Sequence, residues 1–254
     1  MQKSKTQIGF LGLVEKYIRK FVTIYYFIRS IAIKFDIFEE DFKILKKIFG
    51  DKKINIIDIG ASDGISANFF IKNLNVRNIY CFEPHFLFVE KLKKLKKKYH
   101  NLKIFNYGIS TSNENIEVYI PKIIFFGKPL YLYTYTFYNL GELKKQIKLD
   151  FLNYKKIFIE KNVLKLKKFK MIKSNIDLIK IDVNGYEFEI VKCLKKQIIK
   201  NHPLMVIENN KKIRQISKYL SKYGYKKYYN KFSNFKIHKN EKVLDVFFIN
   251  KKKI

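Results

Sequence analysis

A chain of 254 residues with 47% hydrophobic content, 10 Gly and 4 Pro has room for one α/β domain with some added structure, and it excludes a disordered or linker-rich protein. Its formal charge of +31 would first suggest nucleic acid or an anionic surface, yet among 53 basic residues only Arg19, Arg29, Arg77 and Arg214 carry the fork that reads phosphate and guanine. The lysine excess travels with abundant Ile, Asn, Tyr and Phe, as AT-rich codons alone would produce, so nucleic acid is not the expected partner.

Residues 1–50 place Phe10, Leu13, Tyr17, Phe21, Ile24, Phe27, Ile28 and Ile31 at helical spacing among Lys and Arg. They are expected to form an N-terminal helical extension packed on the main domain. The alternative is a basic amphipathic helix lying peripherally on an anionic membrane. The run "FVTIYYFI" is far short of the roughly 20 residues that cross a bilayer, and no secretory pattern precedes it. Cys81 and Cys193 have no metal-ligand spacing, so the expected setting is a reducing cytoplasm, with the inner face of the membrane as a peripheral location.

From residue 54 apolar strands alternate with amphipathic helices. Strands are expected at 54–59, 78–83, 102–108, 176–183, 204–208, 224–230 and 242–249, the last two forming a hairpin. Helices are expected at 65–74, 86–99, 187–198 and 212–223. That order implies a Rossmann-like, seven-stranded α/β sheet with helices on both faces, over residues 51–254. Residues 110–170 break the rhythm with "PKIIFFGKPLYLYTYTFYNLGEL" and a lysine-rich stretch. An insertion there is either a substrate-side lid or an extra hairpin packed on the sheet; aromatics in 125–138 could stack on a sugar.

Ligands of open α/β sheets sit beyond the carboxyl ends of the strands. Here those ends read Asp58-Ile59-Gly60-Ala61-Ser62-Asp63-Gly64, Glu83-Pro84, Tyr107-Gly108-Ile109, Asp182-Val183-Asn184-Gly185 and Glu208-Asn209. Four of the five carry a carboxylate, which is costly unless a cation or a hydroxyl-rich group lies among them. A dinucleotide turn would read G-x-G-x-x-G; the spacing here is Gly60-x-x-x-Gly64, with Asp58 set against a phosphate. Glu83, ending the next strand, suits both hydroxyls of a ribose. A ligand with a ribose, an adenine and a positive charge but no phosphate is S-adenosylmethionine.

"IDIGASDG", "CFEPH", "LIKIDVNGYEFEIVK" and "HPLMVIEN" resemble, over residues 54–210, the FkbM family of S-adenosylmethionine-dependent methyltransferases. The most specific element is "KIDVNGYE", where family members usually read K-I-D-V-E-G-x-E; Asn184 replaces an acid. The resemblance implies a class I methyltransferase, usually acting on hydroxyl oxygen in glycan, glycolipid or natural-product tailoring. It implies that Asp58, Gly60, Ala61, Ser62 and Gly64 shape the methionine side, that Glu83 holds the ribose, and that Gly108 and Ile109 lie near the adenine. Asp182 and Lys180 are the expected acceptor-side residues, and Glu208 is a secondary catalytic candidate. Alternatively, Lys180 and Asp182 form a structural ion pair. Glu187 is read as a helix N-terminal acid. Asp182, Glu187 and Glu208 would suit magnesium, but nothing in their spacing requires a metal. The competing functions are a ribose-hydroxyl methyltransferase of nucleic acid and a non-catalytic, membrane-peripheral interaction protein with a vestigial pocket; an NAD oxidoreductase ranks below both for lack of the dinucleotide turn.

Overall fold

The computed structural model describes residues 42–125, 127–132, 135–151, 154–231, 234–239, 241 and 243–253. Most of the expected N-terminal extension, residues 1–41, lies outside them, as do parts of the aromatic stretch. The chain divides into two compact units: one holds, among described residues, Asn115–Leu164, and the other holds the described residues to Glu114 and from Lys165 onward.

In the larger unit the elements run α1 (Lys43–Phe49), β1 (Ile54–Ile59), α2 (Ile65–Asn73), β2 (Val76–Phe82), α3 (Phe86–Lys98), β3 (Leu102–Phe105) and β4 (Gly108–Ser110). After the smaller unit come β8 (Leu178–Ile181), α5 (Glu187–Cys193), α6 (Lys195–Asn201), β9 (Leu204–Glu208), α7 (Ile213–Ser221), β10 (Tyr225–Lys231), β11 (Asn234–Ile237) and β12 (Asp245–Asn250). Among the described residues the main sheet has the order β11-β10-β12-β9-β8-β1-β2-β3. Pairing is parallel from β3 through β9; β12 is antiparallel to both β9 and β10, and β11 to β10. The expected class is present, but the sheet has eight strands rather than seven. The two expected final strands do pair antiparallel, as β10 and β12, but β11, a strand the lysine-rich sequence concealed, comes between them in the chain and pairs on the other edge of β10, and β12 lies between β9 and β10.

Strand alternation builds a core on each face. Ile57, Ile59, Ile179, Ile181, Met205 and Ile207 pack against Ile190, Val191, Ile198, Ile216 and Leu220 of α5–α7. Ile54, Ile56, Ile79, Leu178 and Val206 pack on the other face against Leu45, Phe69, Phe70 and Leu92 of α1–α3. The expected single helix 187–198 is two helices meeting at Leu194, which caps the first and starts the second. The expected strand 102–108 also divides: β3 ends at Phe105, and Gly108–Ser110 leaves the main sheet to pair in parallel with Leu166–Lys168. Gly108 packs closely there: a Cβ would fall 2.5 Å from a terminal methyl of Leu166, which would have to shift.

The smaller unit contains most of β5 (Glu114–Phe125), β6 (Lys128–Tyr131), α4 (Leu140–Asp150) and the first part of β7 (Phe158–Lys168). In "NLGE" the Asn139 side chain accepts the Glu142 amide at 3.0 Å, capping α4. Leu132, Tyr135, Leu143, Ile147 and Phe151 form its own small core. Among the described residues no helix is long and apolar enough to cross a membrane.

Candidate functional site

The chain runs β1, β2, β3 outward to one side and then returns to β8 and β9 on the other, so the strand order switches between β1 and β8. An open α/β sheet leaves its ligand crevice at the carboxyl ends of such a pair. Asp58 on β1 and Lys180 on β8 are register partners there. Both lie on the face covered by α2, since their strand neighbours at 57, 59, 179 and 181 point into the opposite core.

Asp58 is fully buried and Lys180 is 6% exposed. Lys180 Nζ lies 3.4 Å from Asp58 Oδ1 and 3.6 Å from Asp182 Oδ2, and it donates to the Gly60 carbonyl at 3.2 Å. Ser66 in the first turn of α2 donates to Asp58 Oδ2 at 2.7 Å. Sequence reasoning placed Asp58 against a cationic ligand; the fold gives it an ion pair with Lys180 and a hydrogen bond from Ser66, and leaves its buried Oδ1 without a hydrogen bond. A buried carboxylate needs such partners, because an uncompensated charge here would cost several kcal/mol. Asp182, by contrast, leaves 46% of its side chain exposed. Next to Asp58, the Cys81 thiol is pushed well up by burial and then by the Asp58 charge, so it stays protonated.

The glycine turn brings strand ends together. Gly60 has φ +75°, and a Cβ on it would fall 1.9 Å from the Asp182 carbonyl oxygen. Only glycine lets the β1 turn and the β8 end approach this closely. Gly64, φ +86°, begins α2 in a left-handed conformation against Leu92 and Leu95 of α3. Between them Ser62, with φ 48°, directs its amide at Glu83 Oε2, 2.8 Å away. Glu83 Oε1 accepts the His85 amide at 2.8 Å. The carboxyl is 5% exposed, and burial pushes it up to about 7 against the opposing pull of those two amides. A carboxylate offers about four acceptor sites, so two remain for a ligand's hydroxyls.

The next row of the sheet, on the same face, reads Glu83, Gly60, Asp182, Glu208 and Asp245; Glu208 and Asp245 are register partners. Glu208 is half-buried, and burial followed by the Asp182, Glu187 and Asp245 charges pushes it up to about 8. Gly108 stands against Pro84, while Ile109 buries its side chain in the core beneath. The structure thus gathers Asp58, Gly60, Ser62, Glu83, Lys180 and Asp182, with Glu208 beside them, and turns the Ile109 side chain away. Sequence reasoning missed Ser66, whose signal is a hydroxyl in the first turn after the glycine loop. It also understated Glu187. A separate apolar cleft of about 530 Å³, lined by residues including Ile48, Leu204, Tyr228 and Ile249, lies at the opposite end of the strands.

A family model described as "Methyltransferase FkbM domain" matches residues 58–227, more than half of the chain. The chain belongs to the FkbM methyltransferase family. Its fold is similar to that of the methyltransferase FkbM from Methylobacillus flagellatus KT, with TM-score 0.50 and 11% identity, covering 78% of this chain and 43% of that one. This FkbM domain therefore spans less than half the length of that structure. The precorrin-6y C5,15-methyltransferase from Geobacter metallireducens GS-15 has TM-score 0.41 and 12% identity, covering 82% of each chain. No curated protein matches the chain.

Proposed function

We propose that the protein is an S-adenosylmethionine-dependent methyltransferase acting on a hydroxyl oxygen of a glycan, glycolipid or related small molecule. The observation that carries this reading is Glu83: a buried carboxyl just after β2, one strand from the switch point, anchored by Ser62 and His85 amides, with acceptor sites left over beside a glycine turn. S-adenosylmethionine fits that arrangement and supplies, when bound, a methyl group on a positively charged sulfur. Gly60 to Gly64 shape the methionine side, Glu83 takes the ribose hydroxyls, and Gly108 beside Pro84 borders the adenine side. Asp182 is the acceptor-side carboxylate. It orients the hydroxyl and takes its proton as the oxygen–methyl bond forms and the sulfur–methyl bond breaks. Lys180 holds Asp182, Asp58 and the Gly60 carbonyl together, so that one ammonium ties the glycine turn to the acceptor side.

Calorimetry with S-adenosylhomocysteine tests the cofactor half of the proposal, and loss of binding in Glu83→Ala is expected. Transfer of a labelled methyl group to the polysaccharide or glycolipid fraction of a cell extract, against the RNA fraction, tests the acceptor half. No binding to the wild type would refute the methyltransferase reading; label found only in RNA would favour ribose hydroxyls instead.

A further inference from the structure

The turn that follows Asp182 reads Val183-Asn184-Gly185 and holds the one Asn-Gly pair in the chain. Such a pair can react with itself. The Gly nitrogen loses its proton and attacks the Asn Cγ, the carbon–nitrogen bond of the side-chain amide breaks, and ammonia leaves carrying that proton. Water then opens the cyclic imide to aspartate or isoaspartate, so that side-chain amide and water have become carboxyl and ammonia. The reaction needs an exposed Asn, room for the ring and a main-chain nitrogen free to attack. Asn184 is exposed, and a Cβ built on Gly185 would have nothing within 4 Å of it, so the first two conditions are met. The third is withheld. The Gly185 amide donates to Glu187 Oε1 at 2.9 Å, and the Val183 amide donates to the same oxygen at 3.1 Å. Glu187 is fully buried, and its Oε2 accepts from the Asn210 side chain beyond β9. We propose that Asn184 is a latent deamidation site on the rim of the sheet, and that Glu187 keeps it closed by holding the Gly185 amide.

The hold acts in two ways. The bonded peptide cannot swing its nitrogen toward Asn184 Cγ without leaving an amide and a buried carboxylate oxygen unpaired. The carboxylate also opposes loss of the amide proton, because the anion so formed would meet a like charge. Asn184 at φ 55° and Gly185 at φ 103° fold the turn back so that both amides reach one oxygen. Asn and Gly enter that backbone region at the least cost, so the residues that suit the turn are also the reactive ones. Asn210 is itself fixed, its Oδ1 accepting the Lys212 amide at 2.8 Å, and the hold therefore joins the turn after β8 to the loop after β9. Aspartate at position 184 would add a carboxylate close to Asp182 in the chain. Isoaspartate would lengthen the main chain before Gly185 and draw its amide off Glu187. Either product would lower methyl transfer before it lowered cofactor binding; that consequence, unlike the modification, rests on the reading of this rim as the acceptor side.

The test incubates the full chain at mildly alkaline pH, folded in buffer and unfolded in guanidinium. Mass spectrometry then follows the peptide bearing residue 184 for the gain that accompanies exchange of amide for carboxyl. A group closed in the native turn reacts only through its open fraction, so folded wild type should deamidate there at least about tenfold more slowly than the unfolded chain. Glu187→Gln removes the charge that holds the amide, and it should speed the folded reaction by about tenfold. Asn210→Ala leaves Glu187 Oε2 without that donor and should speed it by about threefold. Circular dichroism shows whether each variant is folded; the Glu187 variant decides if it folds, and Asn210→Ala decides if it does not. Wild type reacting as fast as the unfolded chain, or a deciding variant as well protected as wild type, would overturn the proposal. No cofactor enters this measurement, so absent binding of S-adenosylhomocysteine would refute the methyltransferase reading while leaving the deamidation result standing.

Discussion

Glu83→Gln is the perturbation that tests the ribose-binding role most directly. In the folded protein burial has moved this carboxyl from 4.5 to about 7, so ionising it costs about 3 kcal/mol more than in the open chain. If the cofactor requires the ionised form, wild-type affinity must rise with pH: only about a tenth of the unliganded protein is ionised at pH 6 and about nine-tenths at pH 8. The dissociation constant should therefore fall by roughly tenfold across that interval. The sign for folding is the reverse. A carboxyl whose folded value is raised binds its proton more tightly in the native state, so its contribution to stability is lost as pH rises from about 4.5 to about 7. In Glu83→Gln one of the two amides, Ser62 or His85, loses its acceptor, and the ribose loses a charged partner. At pH 8 the variant should bind S-adenosylhomocysteine weaker by at least about tenfold, the loss of one charge-assisted hydrogen bond. Calorimetry at pH 6, 7 and 8 on both proteins gives the answer, and the variant-to-wild-type ratio cancels any ionisation of the ligand. A ratio that stays constant across the three values would refute the argument.

Lys180→Met should destabilise the protein by about 3–5 kcal/mol, because it strands the buried Asp58 charge. Adding Asp58→Asn should recover part of that loss, as a double-mutant cycle by chemical denaturation would show. Asp182→Asn should keep cofactor affinity within about twofold while lowering turnover by about 10²-fold or more, since only proton acceptance is lost; equal loss of both would refute the division of roles. Gly60→Ala should reduce cofactor binding and stability together, by about 2–4 kcal/mol in stability, because its Cβ would collide with the Asp182 carbonyl at positive φ. Thermal denaturation checks this, and an unshifted melting temperature would contradict the close approach.

The parts of the fold written in local sequence were legible. The apolar runs at 54–59 and 204–208 are the observed β1 and β9, and the helices at 65, 86 and 213 follow their amphipathic spacing. The site's carboxylates were legible too, because they close apolar strands. What local sequence withheld were pairings across the chain. Lys180 reaches Asp58 and the Gly60 carbonyl across some 120 residues, a pairing that no local pattern announces. β11 reads as "NFKI" among lysines and becomes a strand only because β10 offers its edge. Gly108–Ser110 continues the pattern of β3 but is drawn away by Leu166–Lys168. Glu187 stands two residues beyond an Asn-Gly turn with Asn184 at φ 55°, a signal for a carboxylate folded back onto that turn, yet its Asn210 contact is visible only in three dimensions.

Because β12 enters between β9 and β10 rather than at a border, synthesis must pass residue 245 before those two strands gain a common neighbour. Until Phe247 and Phe248 emerge from the ribosome, both cores lack a central aromatic and two strands present bare edges. Chains interrupted just upstream would therefore be sticky intermediates and ready prey for proteases, although every residue of the proposed cofactor turn had already been made.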